Sequence, residues 1–238
     1  MLKLRAFGAL HQELVPEPLD LRVLLKAETG QNFRRINRFI ELALLGACRC
    51  RQHAGEISGD TALYLACDSP MLADSVKILQ GMELEGRAPS PFEFMNVSGN
   101  MAGYYIANHL GLSGPQLALH RNHESLEAAL ELLMLHSAQH RRALLGYVEE
   151  GVWPLSEQRV RLGLGADAPL YESSHWFYFD QDCATPIAQI EPAGHDLAQP
   201  AAQGPADALA LTRYLGSAGT GELRLGRRMV ARKIATAA

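Results

Sequence analysis

From Glu124 to about Ala138 the apolar residues run almost all the way round a helix. Leu126, Ala129, Leu130, Leu133 and Met134 share one side, and Ala128, Leu132 and Leu135 fill others. A helix with so little polar face has to be covered on most sides. That requirement implies a layered α/β protein, with sheet against one side of this helix and further structure against the other. The neighbouring residues supply strands. "QLALHR" (116–121) alternates after the Gly114-Pro115 turn, and "RALLGYVEE" (142–150) follows the helix as a second strand.

The rest of the chain extends this pattern. Residues 2–10 alternate weakly and suit a first strand, and the compact apolar run 61–68 suits a buried one. "HWFYFD" (175–180) reads as a fifth strand. Helices are predicted over 37–55, ended near Gly55, over 71–82, and over 99–112, where Gly and Ala imply close packing. Residues 86–96, punctuated by Pro89 and Pro91, are predicted as loop. Strands and helices in this order predict a mixed five-stranded sheet between helix layers, spanning 1–180. Residues 181–238 differ in composition and form a C-terminal extension. In it "PIAQIE" is a possible edge strand, 191–207 is loop-like, and "ELRLGRRMVARKIA" is amphipathic. The basic run Arg227, Arg228, Arg232 and Lys233 is expected to be a solvated tail helix.

Composition narrows the function classes. The 238 residues can bury a full core, and a formal net charge of −4 leaves no basic footprint for nucleic acid. No apolar run approaches the ~18 residues of a membrane span, and the N-terminus lacks a signal-peptide core, so a cytoplasmic location is expected. Cys48, Cys50, Cys67 and Cys183 form neither a disulfide framework nor a CxxC metal pair. His120 and His123 with His136 and His140 invite a metal hypothesis. However, thirteen residues separate His123 from His136, or ~20 Å along a helix, so the two pairs cannot share one ion. The glycine-rich Gly216–Gly221 lacks a preceding strand and a following Lys-Ser/Thr, and reads as a turn rather than a phosphate loop.

Five short motifs occur in an order that resembles one family. "NMAGYYIANHLGLSGPQLAL" is similar to the stretch before the active-site cysteine of β-ketoacyl synthases, condensing enzymes of the thiolase fold. "RAFGAL" resembles their opening strand, "SPFEF" their Ser-Pro-Phe loop, and "ALLGYVEE" the strand after the buried helix. The resemblance covers about residues 3–180, one half of a two-lobed fold, and it implies a single thiolase-like lobe. Counted from Gly114-Pro115, the family's cysteine falls on His123, within Asn122-His123-Glu124-Ser125. A helix N-terminus makes a cysteine reactive by favouring its thiolate. An imidazole there can be acylated, but acyl-imidazoles hydrolyse readily, so the substitution removes the stable thioester. The second-lobe histidines are also unmatched. His175 lies in a strand the family uses structurally, and His195 lacks the glycine-rich run before it.

A half-length synthase without its cysteine resembles the chain-length-factor-like subunits of aryl polyene and xanthomonadin-type pigment clusters. The resemblance implies a non-catalytic subunit that pairs with a complete ketosynthase and shapes the cavity for the growing chain. Acyl groups would arrive on acyl carrier protein bound mainly by the partner, and no cofactor or metal is expected. Carried over residue by residue, Leu117, Leu119 and Arg121 of the 116–121 strand lie near the dimer axis. Phe92, Glu93 and Phe94 reach toward the partner's acyl tunnel, and Met71 takes a tunnel-wall position. The alternative is a hydrolase or acyltransferase in which His123, with Glu124 or Ser125, is the catalyst.

Overall fold

The computed structural model describes residues 1–121, 123–194 and 205–234. The N-terminal half comprises β1 (Leu2–Glu13), α1 (Leu21–Thr29), α2 (Arg38–Ala54), β2 (Ala62–Cys67), α3 (Leu72–Glu85), α4 (Pro91–Asn96) and α5 (Gly99–Leu110). Then come β3 (Gln116–His120), α6 (Ser125–His136), β4 (Arg142–Glu149), α7 (Leu155–Arg161) and β5 (Tyr171–Asp180). The extension adds β6 (Ala188–Pro192), α8 (Pro205–Gly216), β7 (Glu222–Leu225) and β8 (Met229–Lys233).

Among the described residues all eight strands join one sheet in the order β3-β2-β4-β5-β1-β6-β8-β7. The expected sheet of five is therefore a sheet of eight. Its first five strands are those anticipated from residues 1–180, and the extension lengthens the sheet from the outer side of β1. Leu2, Lys3 and Leu4 pair antiparallel with Ile190, Gln189 and Ala188, and β6 in turn pairs with β8. β2 runs parallel to both β3 and β4, and the remaining pairings are antiparallel.

Two apolar cores lie on opposite faces of this sheet. On one face α2 fits into the concavity of β1, β4 and β5, with α1 and α5 beside it. Trp176 is fully buried between Gly46 of α2 and Gly146 of β4. A Cβ at either glycine would come within 2.4 Å of its ring, so the indole replaces side chains that cannot be there. Asn37 caps α2 by accepting from the Ile40 amide at 2.9 Å. Its Nδ2 donates to Asp74 and to the Asn96 carbonyl, tying the starts of α2 and α3 to the end of α4.

On the other face α6 packs on β2 and β4, and α8 packs on β1 and β5. Residues 125–130 of α6 are six buried positions in succession, and only the last turn, at Leu135, faces solvent. Part of the cover comes from the β7–β8 turn. The Glu127 carboxylate, on α6, accepts from the amides of Arg227 at 2.8 Å and Arg228 at 2.5 Å. Gly226 closes the turn at φ 58°, with Glu127 so near that a Cβ would lie 2.3 Å from its oxygen.

Two expectations are corrected. The basic run 227–233 is a hairpin rather than a tail helix: "ELRL" alternates, "MVARK" buries its first three residues, and a left-handed Gly226 turns the chain between them. Residues 91–96 form a short helix rather than loop. Ser90 and Glu93 make a reciprocal capping box, with Pro91 at the first helical position. Helices α1, α7 and α8 add to those anticipated; α1 carries Asp20 as N-cap and Gly30 as left-handed C-cap. His195 lies outside the described residues.

Gly226→Ala is expected to destabilise the chain by about 1–3 kcal/mol, since it strains a left-handed position and intrudes on Glu127. Urea unfolding of the variant against the parent measures this.

Candidate functional site

The turn from β3 into α6 is held from below by one hydroxyl. Ser125, fully buried, accepts from the Arg121 amide at 2.8 Å and lies 2.9 Å from the carbonyls of both Cys67 and Arg121. It thereby pins the elbow to the end of β2. The chain between these anchors turns through His123 at φ 64°, a left-handed conformation uncommon outside glycine. His123 is exposed at the N-terminal end of α6, and Arg121 pairs with Glu124 at 3.3 Å beside it. The sharp strand-to-helix turn expected for a nucleophile seat is present, and it carries an imidazole.

His123 borders a cavity of about 410 Å³ with Asp68, Ser69, Glu149, Glu150 and Tyr171. β2, β3 and β4, which run parallel, all end here. Glu149 accepts from the Asp68 amide at 2.5 Å and from the Ser69 amide and the Cys67 thiol at longer range. Glu150 accepts from the Ala73 amide at 3.2 Å, and Asp68 from the Tyr147 hydroxyl at 2.9 Å. Burial pushes the Glu149 carboxyl up to about 7 and Glu150 to about 8, with neighbouring acids adding to both. His175 lies deeper on the same face, bonded through Nδ1 to Thr212 at 2.8 Å. Burial lowers its pKa to about 3, which makes it a neutral structural side chain.

The residues expected at a subunit interface divide into two groups. Leu117 and the carboxyl end of β3 lie on the outermost strand of the sheet, with Leu117 partly exposed and Leu119 half-buried against the second core. Beside them α5 exposes Tyr104, and α4 exposes Phe92 at 50% and Phe94 at 68%. Arg35 stacks over the Phe92 ring at 4.4 Å. Glu93 is spent locally: it closes the capping box and pairs with Arg87, whose guanidinium holds its carboxyl down to about 2. Met71 stands apart from this set. It is 2% exposed within the first core, at the left-handed start of α3. Glu149, Glu150 and Asp68 were not singled out by sequence, although the acidic end of "GYVEE" beside a strand terminus is the signal that locates them. His136, considered for metal, instead bonds to the Tyr64 hydroxyl at 2.8 Å.

The raised carboxyls give a pH dependence of definite sign. Groups whose folded pKa lies above the unfolded value contribute stability that is complete below about 4.5 and lost as pH rises through 7 to 8. Thermal unfolding at pH 5.5 and pH 8.5 is expected to show the lower pH as the more stable, and Glu149→Gln with Glu150→Gln to flatten the difference. Ser125→Ala, which strips the elbow of its anchor, is expected to cost about 1–3 kcal/mol in urea unfolding.

No protein-family model and no curated protein matches the sequence. Solved structures do match in fold. One chain from the complex of a ketosynthase with its chain length factor from Xenorhabdus doucetiae superposes with a TM-score of 0.65 at 14% identity. The match covers 98% of this chain and 100% of that one. The ishigamide ketosynthase/chain length factor gives 0.62 at 15% identity, over 80% of this chain and 66% of that chain. A type II polyketide acyl carrier protein in complex with its ketosynthase gives 0.53 at 12%, over 81% and 70%. The chain has the mixed α/β fold of the thiolase-like ketosynthases and chain length factors.

Proposed function

We propose that this chain is a non-catalytic, chain-length-factor-like subunit that pairs with a complete β-ketoacyl synthase. In that pairing it helps shape the cavity for a growing acyl chain, in a fatty-acid-like or polyketide-like pathway of the aryl polyene pigment type. The observation that carries this is the difference between the two edges of the sheet. β7 is a four-residue edge whose Glu222 pairs with Arg232 at 2.8 Å, an edge blunted by shortness and charge. β3 has no such protection. Its outer backbone groups are unpaired among the described residues, and exposed Leu117, Tyr104, Phe92 and Phe94 lie along β3, α5 and α4. An open apolar edge of this kind suits a second chain.

Three further features support the reading. By the resemblance, the position of the family's active-site cysteine falls on His123, at a left-handed strand-to-helix turn. The structure matched along its whole length comes from a ketosynthase in complex with its chain length factor. Phe92 and Phe94, which by resemblance reach into the partner's tunnel, project from a helix pinned by its own capping box. The cavity beside His123 favours a second reading, a hydrolase or acyltransferase, but among the described residues no side chain is bonded to His123 to orient it as a base.

Co-expression with the ketosynthase of its own gene neighbourhood is expected to give a one-to-one complex, while the lone chain self-associates; native mass measurement decides this. Leu117→Arg is expected to abolish the complex, and Phe94→Ala to shift product length with the complex intact. His123→Ala is expected to leave both the complex and its turnover in place, whereas loss of turnover would establish the enzymatic reading.

A further inference from the structure

α8 lies across β1 and β5, and two imidazoles stand beneath it. His11 of β1 pairs with Ser173 and His175 of β5 pairs with Ala9, so the two histidines are diagonal neighbours on one face of the sheet. Their ring centres lie 5.8 Å apart, and His11 stacks on Tyr171 at 4.9 Å.

A short hydrogen-bond chain fixes the proton of His175. The Thr212 hydroxyl, on α8, gives its single proton to the Ala208 carbonyl at 3.0 Å. In the 2.8 Å contact with His175, Nδ1–H is therefore the donor and Thr212 the acceptor. That leaves Nε2 with a bare lone pair in a residue that is 0% exposed, and it has no partner among the described residues. His11 Nδ1 is buried without a partner in the same way. A proton on either nitrogen would create a buried charge with no acceptor.

The surroundings do not supply one. The titratable and charged groups on this face are Glu13 of β1, Tyr171 of β5, Tyr147 and Glu149 of β4, and Asp207 and Arg213 of α8. Glu149 is taken up by Cys67, Asp68 and Ser69, Tyr147 by Asp68, and Asp207 by the Gly226 amide. Burial, and after it the charge of Arg213, holds His11 below its ordinary range. Burial, and after it His11, holds His175 down to about 3.

We propose that α8 is an acid-released latch, docked on the sheet while His11 and His175 are both uncharged and freed when either takes a proton. Histidines depressed in the folded state contribute docking stability that is complete above about 6.5 and lost as pH falls below it. Asp207 and Glu127, both raised chiefly by burial, act in the opposite sense. His175 is displaced from 6.5 to about 3 and Asp207 from 3.8 to about 6, so the histidines prevail as pH falls. The latch lies apart from the exposed apolar strip on β3, α5 and α4, and stands or falls independently of pairing with a ketosynthase.

The test is hydrogen exchange of the α8 backbone amides in the full chain at pH 7.5 and pH 5.0, corrected for intrinsic rates. Protection of α8 is expected to fall at least threefold at pH 5.0, while α2, on the opposite face, keeps its protection. Asp207→Asn, which removes the opposing carboxyl but keeps an acceptor for Gly226, is expected to deepen the loss to at least tenfold. His175→Gln, which cannot titrate, is expected to remove most of it. Imidazole nitrogen resonances of the unsubstituted chain are expected to show His175 protonated on Nδ1 alone at pH 7.5 and doubly protonated only as α8 opens, a readout that survives a variant's failure to fold. Protection of α8 that holds at pH 5.0 in the unsubstituted chain, equal loss in α2, or a doubly protonated His175 beneath a protected α8 would overturn the proposal.

Discussion

The burial of α6 is the constraint on which the remainder of the structure depends. Six successive residues at its N-terminal end are covered, and no single sheet face can cover a helix all round. β2 and β4 take one side. The other side is closed partly by the extension, whose hairpin turn presents two backbone amides to Glu127 and whose α8 shares the same apolar core. Asp207 of α8 accepts from the Gly226 amide, and burial together with the nearby Glu127 holds its carboxyl up at about 6. Two carboxyl groups thus grip one turn. The last quarter of the chain belongs to the same folding problem as the helix at its centre.

The covered helix also explains the geometry of the elbow. With α6 fixed by its core contacts and by Ser125, the turn before it has little freedom, and His123 is driven into the left-handed region. A thiol in that seat would meet the positive end of the helix and be activated. The imidazole is placed just as firmly. Acidic side chains crowd the neighbouring strand ends.

Much of this was legible in the residues. The apolar continuity of 124–138 identified the buried helix, alternation located β1 and β3, and the compact apolar run 61–68 located β2. The errors have specific causes. "GRRMVARK" is rich in charge, and its charges masked the strand that follows the left-handed turn at Gly226. Pro89 and Pro91 read as loop signals, although Pro91 stands at the one helical position that needs no amide, directly after Ser90. Among the residues at the cavity, His123 was singled out by motif spacing. Glu149 and Glu150 were not, because a carboxylate becomes unusual only when the fold buries it, and burial at a strand end depends on pairings far away in sequence. Met71 lies buried in the first core at the left-handed start of α3, a placement that depends on packing rather than on local sequence.

The unequal edges of the sheet bear on stoichiometry. A sheet that could accept strands at both ends would add chain after chain and grow without limit, whereas one blunted at β7 can be extended only from β3. Pairing through that edge is self-limiting. Under the pairing through β3 proposed above, an assembly with one such partner closes at two.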